Sequence, residues 1–243
     1  MIRALLGAVQ FLTIVPVRGR TAEPGRSAAF FPLVGAWIGI MGAALLDFGR
    51  SYIPFTLAAL LVVAFWCVIT GGLHEDGLAD TADAFRAGRS PDRIMTILKD
   101  SRIGTFGGLA LLFSLLIRWQ SLSAITVTEF APALAAAQAL PRAAFVALAW
   151  ISRPAGGGLG AAFSAILTTP IALFAIFQAV LFALWCGPAA AAWLLIGMAL
   201  IVLAARRYFH LRLGGVTGDC LGATGQVVEV YILVLFACRN CIS

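Results

Sequence analysis

The chain has 243 residues, of which 61% are hydrophobic and only 12% are charged, and its mean hydropathy is +0.98. Soluble globular domains carry about 25% charged residues, so this composition excludes an ordinary water-soluble fold and a large separate soluble domain. The net charge is +6. Because no basic run alternates with aromatic residues, this excess is expected to orient the chain in a bilayer rather than to bind nucleic acid.

The N-terminal segment, MIRALLGAVQFLTIVPV, has one early arginine and an apolar stretch like those of a signal peptide. Arg18, Arg20 and Arg26 follow it without a convincing small-residue cleavage site, so the segment is predicted to be retained. It is expected to form a short helix that ends near Pro16 and is either re-entrant or lies in the membrane interface.

Hydropathy predicts about seven membrane-spanning helices in a single domain over residues 1–243, since each crossing takes about 20 mostly apolar residues. The predicted spans are 30–47, 53–72, 104–127, 131–151, 169–186, 189–205 and 219–238. The predicted fold is all-α: a polytopic integral membrane helical bundle with a short N-terminal helix and an acidic loop-helix in the cytoplasm.

The basic residues indicate the orientation of this bundle. If the N-terminal segment is cytoplasmic, 13 of the 17 basic residues lie on that side, Arg50 and Arg239 lie opposite, and Arg118 and Arg142 fall inside spans. The positive-inside rule therefore favours a cytoplasmic N-terminus. The two longest polar interruptions, 73–103 and 206–218, then share the cytoplasmic face and are predicted to build one site together.

Acidic residues are concentrated in the first of these interruptions. Six of the eleven in the chain lie in one 26-residue window, namely Glu75, Asp76, Asp80, Asp83, Asp92 and Asp100. On a helix, Asp76, Asp80 and Asp83 fall within about 60° of one another. Such like charges repel, and burying each near a bilayer costs roughly 2.5–3.5 kcal/mol. A divalent cation would remove both penalties.

Asp76, Asp80 and Asp83 are therefore predicted metal ligands. Carboxylate oxygens without a nearby cysteine suit Mg²⁺, with Mn²⁺ as a possible substitute, rather than zinc. The alternative is a solvated amphipathic helix whose acids pair with the arginines of residues 86–93. His74 lies away from the aspartate face, and the spacing leaves its role open between capping, substrate contact and metal ligation.

A second short helix, with its N-cap at Ser90, is predicted to run to about Lys99. It leads into the sequence KDSRIG, which meets a flexible turn directly before the third span. Cations beside a helix N-terminus suit a phosphate. The candidate substrate-binding residues are Lys99, Ser101, Arg102 and Gly104. The alternative is that Lys99 and Arg102 only mark the cytoplasmic end of the span.

The last predicted span carries Asp219, Gln226 and Glu229 toward one side of a continuous helix. An acid inside a membrane helix is a functional candidate by default, so Asp219 is predicted to act as a base or as a metal ligand. Glu229 lies deeper and is instead a candidate ionic partner of Arg118 or Arg142.

Three sequence blocks together resemble the adenosylcobinamide-GDP ribazoletransferases, also called cobalamin synthases or cobalamin 5′-phosphate synthases. The blocks are GGLHEDGLADTADAF at 71–85, LKDSRIGTFGGLAL at 98–111 and GGVTGDCLGATGQVVE at 214–229. Weaker matches at 11–17 and 30–40 extend the resemblance, in order, over the whole chain. Two departures are slight: Glu75 stands at a position that is commonly apolar in the family, and Cys220 stands where the family often has a threonine.

The resemblance implies a Mg²⁺-dependent, multi-span enzyme of the bacterial cytoplasmic (inner) membrane. Its reaction would join the 3′-hydroxyl of α-ribazole, or of its 5′-phosphate, to adenosylcobinamide-GDP, forming adenosylcobalamin or its 5′-phosphate and releasing GMP. The family motifs fall here on His74, Asp76, Asp80, Asp83, Lys99 to Gly104, Gly218 and Asp219. Asp219 and His74 are the candidate catalytic residues.

The residues alone lead to the same reaction class, because an alcohol that displaces a nucleoside monophosphate needs a metal, cations and a proton acceptor. Two alternatives remain. A CDP-alcohol phosphotransferase shares Asp76, Gly77 and Ala79, but its later aspartates are missing. A cation-coupled transporter would explain intramembrane carboxylates, but the densest charges lie in one loop. The expected partners are the two small-molecule substrates and the lipid bilayer; a homo-oligomer stays possible.

Overall fold

A computed structural model describes residues 1–157 and 159–238, in which the regular secondary structure is helical apart from one isolated parallel bridge between Pro154 and Val216. The helices are α1 (Ile2–Leu12), α2 (Pro24–Ser27), α3 (Phe31–Gly49), α4 (Phe55–Ile69), α5 (Leu73–Ala87), α6 (Pro91–Ile97), α7 (Thr105–Leu122), α8 (Phe130–Ile151), α9 (Leu159–Ile166), α10 (Thr169–Trp185), α11 (Pro188–Leu213) and α12 (Gly218–Ala237). Helices satisfy their own backbone hydrogen bonds, as lipid requires. The predicted all-α class is confirmed.

Each of the seven predicted spans coincides with a helix, but the number seven is not confirmed. Five helices among the described residues are long and apolar enough to cross a membrane: the run Pro24–Gly49, α7, α8, α11 and α12. Helices α4 and α5 make a sixth candidate only if they are taken as one span. Helix α10 is apolar but has only 17 residues. The chain is thus a multi-pass membrane protein with five or six candidate spans.

Two glycines turn the chain sharply between α4 and α5. Gly71 and Gly72 have φ angles of +64° and +70°, a left-handed conformation that other residues rarely adopt. The axes of α4 and α5 differ by 87° as a result. The acidic helix α5 therefore does not continue the span of α4, and we treat it as lying across one face of the bundle.

The N-terminal helix α1 is short, as predicted, and ends at Leu12. Its 11 residues extend about 16 Å, too little for a bilayer core of about 30 Å. The ring of Phe11 stacks on Phe31 of α3 at 5.2 Å between centroids. This contact holds α1 against the bundle; a re-entrant or interfacial position stays a prediction.

Helix α8 forms the centre of the bundle. It buries 83% of its most apolar window, whereas α7 and α11 bury only 28% and leave large apolar side chains facing outward, where lipid would cover them. Gly35 and Gly39 of α3 lie against the backbone of α8 so closely that a Cβ atom there would collide with the carbonyls of Gln138 and Leu134. Small residues commonly permit such contacts between membrane helices.

A buried ionic cluster ties α5 to the bundle; its members are Glu75, Arg118, Gln138, Arg142, Gln226 and Glu229. The Arg118 guanidinium, 1% exposed, lies 2.7 Å from Glu75 Oε1 and 2.8 Å from Glu229 Oε1. Gln138 donates to Glu229 at 2.9 Å and accepts from Arg142 at 2.6 Å. The predicted pairing of Glu229 is confirmed, and two arginines balance two glutamates.

Candidate functional site

The start of α12 and the acidic helix α5 pack together at one face of the bundle. Gly77 permits this approach, because a Cβ atom there would lie 3.0 Å from the Asp219 carbonyl oxygen. Arg212, at the end of α11, donates to the carbonyls of Phe85 at 2.9 Å and Gly88 at 2.8 Å. Residues 73–103 and 206–218 therefore meet at one face, as predicted; that they build one functional site stays a prediction.

Asp76, Asp80 and Asp219 form what we call the aspartate cluster. None of the three takes part in an ion pair among the described residues. Partial burial, and then the charges of Asp76, Asp219 and Asp83, raise the pKa of Asp80 to about 6. The alternative in which nearby arginines neutralise this face is not observed; the Arg86 guanidinium instead lies over the Phe106 ring, 5.2 Å from its centroid.

Asp83 has a different environment from the other aspartates of α5. Its two carboxylate oxygens accept hydrogen bonds from the backbone N–H groups of Gly104 at 2.7 Å and Gly107 at 2.9 Å. The carboxylate thus satisfies free donors at the positive end of the α7 dipole. Sequence reasoning missed this contact, and the predicted metal-binding role of Asp83 stays a prediction.

Gly107→Ala is expected to destabilise the protein by about 1–3 kcal/mol, the usual penalty of overpacking. The added Cβ atom would collide with the Asp83 carboxylate and lie 2.9 Å from the Ala79 carbonyl oxygen. Gly108→Ala is the matched control, since a Cβ atom there meets nothing within 4 Å. Thermal unfolding in detergent measures both, and equal melting temperatures would contradict the proposed contact.

Two neighbouring cavities open beside the aspartate cluster. The aromatic cavity, of about 310 Å³, is bounded by Phe11, Phe31, Phe145 and Phe163, with His74, Lys99, Thr217 and Asp219 also in its wall. The open cavity, of about 610 Å³, includes Thr70, Asp80, Ser101 and Ile103 in its wall. Phe11, Leu73 and Asp76 line both cavities. Asp76 therefore lies between two spaces.

The predicted substrate-binding residues are divided between these places. Lys99 lines the aromatic cavity and Ser101 the open cavity. Arg102 is exposed, lines neither cavity among the described residues and pairs with Asp100 at 2.6 Å. That pair lowers the pKa of Asp100 to about 2. Gly104 contributes its backbone N–H to Asp83. Their roles toward a substrate stay predictions.

His74 lies in the wall of the aromatic cavity and is only 4% exposed. Its ring meets Phe145 edge to face, with 5.5 Å between centroids. Burial, reinforced by the charge of Arg142, lowers the pKa of His74 to about 3, so the imidazole is neutral near pH 7. Its Nε2 atom is buried and has no hydrogen-bond partner among the described residues. His74 is thus a neutral side chain in the cavity wall with one nitrogen unsatisfied by the described residues.

The donor atoms suit a magnesium site that is completed by substrate. Among the described residues, no three histidine, cysteine, aspartate or glutamate side chains are grouped so that they alone would hold a metal ion. Mg²⁺ is, however, usually bound through one or two carboxylates together with water and substrate phosphates. Asp76 and Asp80, one helical turn apart and both on the open cavity, match that donor set.

Comparison with known proteins gives one consistent result. The model of the cobalamin-5-phosphate synthase family matches residues 4–237. An adenosylcobinamide-GDP ribazoletransferase of Ralstonia pickettii is 37% identical over 95% of this chain and 93% of its own. Relatives with the same name in Sinorhizobium medicae and Clostridium tetani are 41% and 31% identical, each over more than 90% of both chains. No solved structure matches the chain.

Proposed function

Because the chain belongs to the cobalamin-5-phosphate synthase family, we propose that it is an adenosylcobinamide-GDP ribazoletransferase. It transfers the phosphocobinamide group of adenosylcobinamide-GDP to the 3′-hydroxyl of α-ribazole or α-ribazole 5′-phosphate. A P–O bond to the ribazole forms, the P–O bond to the GMP phosphate breaks, and the hydroxyl proton leaves. The family match favours this reaction over a CDP-alcohol phosphotransferase or a transporter.

The observation that carries the proposal is the position of Asp76 in the shared wall of two cavities. A reaction that joins two substrates needs two binding spaces that meet where the new bond forms. Asp80 lies on one side of that wall and Asp219 on the other. The aspartate cluster therefore lies where a nucleophile in one cavity would meet an electrophile in the other.

We assign Asp76 and Asp80 to magnesium, with Asp219 as a further candidate. The bound ion would neutralise charge that develops on the diphosphate during transfer. Lys99 is the proposed cationic partner of the diphosphate, because it lines the aromatic cavity together with Asp76 and Asp219.

Asp219 is the proposed proton acceptor. Its side chain is partly buried in the first turn of α12, and Thr217 donates a hydrogen bond to its Oδ2 at 3.3 Å. A carboxylate held in this way can take the proton of an attacking hydroxyl. His74 keeps its predicted place in the site, and its neutral ring suits a contact with substrate better than charge stabilisation.

Removal of magnesium is expected to stop the reaction. Detergent-purified protein is incubated with adenosylcobinamide-GDP and α-ribazole, in Mg²⁺ or in EDTA, and GMP and cobalamin are measured by mass spectrometry. We expect both products in Mg²⁺, at least a 100-fold lower rate in EDTA (about the loss seen when such charge stabilisation is removed), and recovery with Mn²⁺. An unchanged rate in EDTA would disprove the metal role, and no product in Mg²⁺ would disprove the proposed function.

We also propose that the aspartate cluster faces the cytoplasm of a bacterial inner membrane. Arg212, at the end of α11, donates to the Phe85 carbonyl near the end of α5, and Lys99 lines the aromatic cavity together with Asp76 and Asp219. An excess of arginine and lysine at one face is typical of the cytoplasmic side. Substrates made in the cytoplasm would then reach the site without crossing the bilayer.

A further inference from the structure

Four phenylalanine rings from four different helices make the aromatic cavity suitable for a flat ring system. Phe31 is fully buried at their centre, with ring centroids 5.2 Å from Phe11, 5.8 Å from Phe145 and 5.9 Å from Phe163. These contacts include both stacked and edge-to-face pairs. A cluster that offers ring faces and ring edges can accept another aromatic ring in either geometry.

The volume of the aromatic cavity limits what can enter. Its 310 Å³ lies near the lower end of the range of small-molecule sites, roughly 300–1,000 Å³. A corrin macrocycle with its side chains is much too large for this space. A bicyclic base with part of its sugar is of the right size, so the choice lies between the base of the ribazole nucleoside and the guanine of the GDP moiety.

The polarity of the cavity favours the ribazole base. Its wall is mostly apolar, with Met95, Leu98 and Leu221 beside the phenylalanine rings, and it also includes the polar side chains His74, Asp76, Lys99, Thr217 and Asp219. Guanine would bring an amide and an amino group among the phenylalanine rings, where each group left unpaired would cost about 1–3 kcal/mol. The benzimidazole of ribazole has one free ring nitrogen and needs one donor.

We propose that the aromatic cavity binds the benzimidazole base of ribazole among the phenylalanine rings, with the His74 side chain in the same wall donating a hydrogen bond to its free ring nitrogen. This inference rests on the proposed function and names the binding place of one of its two substrates. The attached sugar then extends toward Asp76 and Asp219, at the wall that both cavities share. The other substrate occupies the open cavity, with its diphosphate at the shared wall beside Asp76.

The first test removes one aromatic wall. Phe163→Ala is expected to raise the KM for α-ribazole at least about tenfold, because stacking and apolar contacts with the base are lost. The KM for adenosylcobinamide-GDP should change less than twofold. Phe130→Ala is the matched control: Phe130 is about as buried as Phe163, but it stacks on Phe55 at 5.7 Å and is not among the described residues that line either cavity. It should leave both KM values unchanged.

The second test isolates the hydrogen bond. His74→Phe keeps an aromatic ring but removes the donor, and His74→Gln restores an N–H group. We expect the first variant to raise the KM for α-ribazole about tenfold and the second to recover part of the loss. An indole riboside lacks the free ring nitrogen, so the His74→Phe variant should bind it as tightly as the wild-type protein does. If the role of His74 were purely structural, His74→Phe would weaken the binding of α-ribazole and of the indole riboside equally.

The outcomes separate this inference from the proposed function. If Phe163→Ala raises the KM for adenosylcobinamide-GDP instead, the cavity holds guanine and the inference is wrong; unchanged KM values also overturn it. If the wild-type protein forms no product in Mg²⁺, the proposed function has failed. Calorimetric titration with α-ribazole alone then decides the inference: binding that Phe163→Ala abolishes supports it, and no binding to the folded wild type overturns it.

Discussion

Asp76→Asn is expected to reduce kcat by about 100-fold or more while the protein remains folded and inserted in the membrane. The asparagine keeps the size of the side chain but removes the negative charge that would hold the metal at the wall between the two cavities. Loss of one preorganised electrostatic contact of this kind typically costs 10²–10³ in rate. Because Asp76 is exposed and forms no ion pair among the described residues, the substitution should change the stability of the protein little.

The measurement is GMP release under saturating substrates, together with thermal unfolding of the same samples. Asp92→Asn is the matched control, since Asp92 lies in the first turn of α6 and lines neither cavity among the described residues. Asp80→Asn should also raise the Mg²⁺ concentration needed for half-maximal rate. Near-wild-type turnover of Asp76→Asn would remove this residue from the proposed site.

Arg118→Met should be the most destabilising of the substitutions considered, with a loss of about 3–5 kcal/mol in the free energy of unfolding. The methionine fills much of the same space, but Glu75 and Glu229 lose the guanidinium that lies within 2.8 Å of both. Breaking a buried ion pair by removing one partner leaves an uncompensated charge, which accounts for a loss of this size. Reversible unfolding in mixed micelles gives the difference.

Arg50→Met provides the same chemical change at the surface. Arg50 also has a carboxylate 2.8 Å away, on Asp47, but both side chains are exposed, at 40% and 58%. Solvent screens such pairs, so the expected loss is about 0–1 kcal/mol. A similar loss in both variants would show that the buried ionic cluster contributes no more than a surface pair.

Local patterns in the sequence predicted much of the architecture. Apolar segments of about 20 residues predicted helices at all seven places, because membrane helices are fixed by composition and length. Ser90 was predicted as an N-cap, and its Oγ accepts from the Arg93 N–H at 3.4 Å. The number of spans was less predictable. The chain bends at two glycines between α4 and α5, and α10 has only 17 residues, so a predicted helix is not always a full membrane crossing.

Parts of the site were also visible in the sequence. The spacing of Asp76 and Asp80 placed both carboxylates on one face of a helix, and an acid early in the last span indicated Asp219. Both inferences need only helical geometry and the energetic cost of charge near lipid. The match of three sequence blocks to one family added the reaction, which no spacing alone could name.

Other parts depended on contacts between residues far apart in the chain. Phe11, Phe31, Phe145 and Phe163 are ordinary core residues in sequence, and only the packing of α1, α3, α8 and α9 brings their rings together. Glu75, at a position that is commonly apolar in the family, pairs with Arg118, 43 residues later in the chain. Asp83 likewise meets the start of α7.

There is a physical reason why some features could be predicted from the sequence and others only from the tertiary structure. Composition, helical periodicity and charge placement act over one or two turns, so the sequence by itself determined a membrane helix bundle, its acidic face and its family. Cavity walls, buried ion pairs and caps join atoms from different helices, and their energies depend on which side chains the packing leaves in contact. Only the tertiary structure therefore decided that Asp76 lies between two cavities and that His74 lies in the wall of an aromatic one.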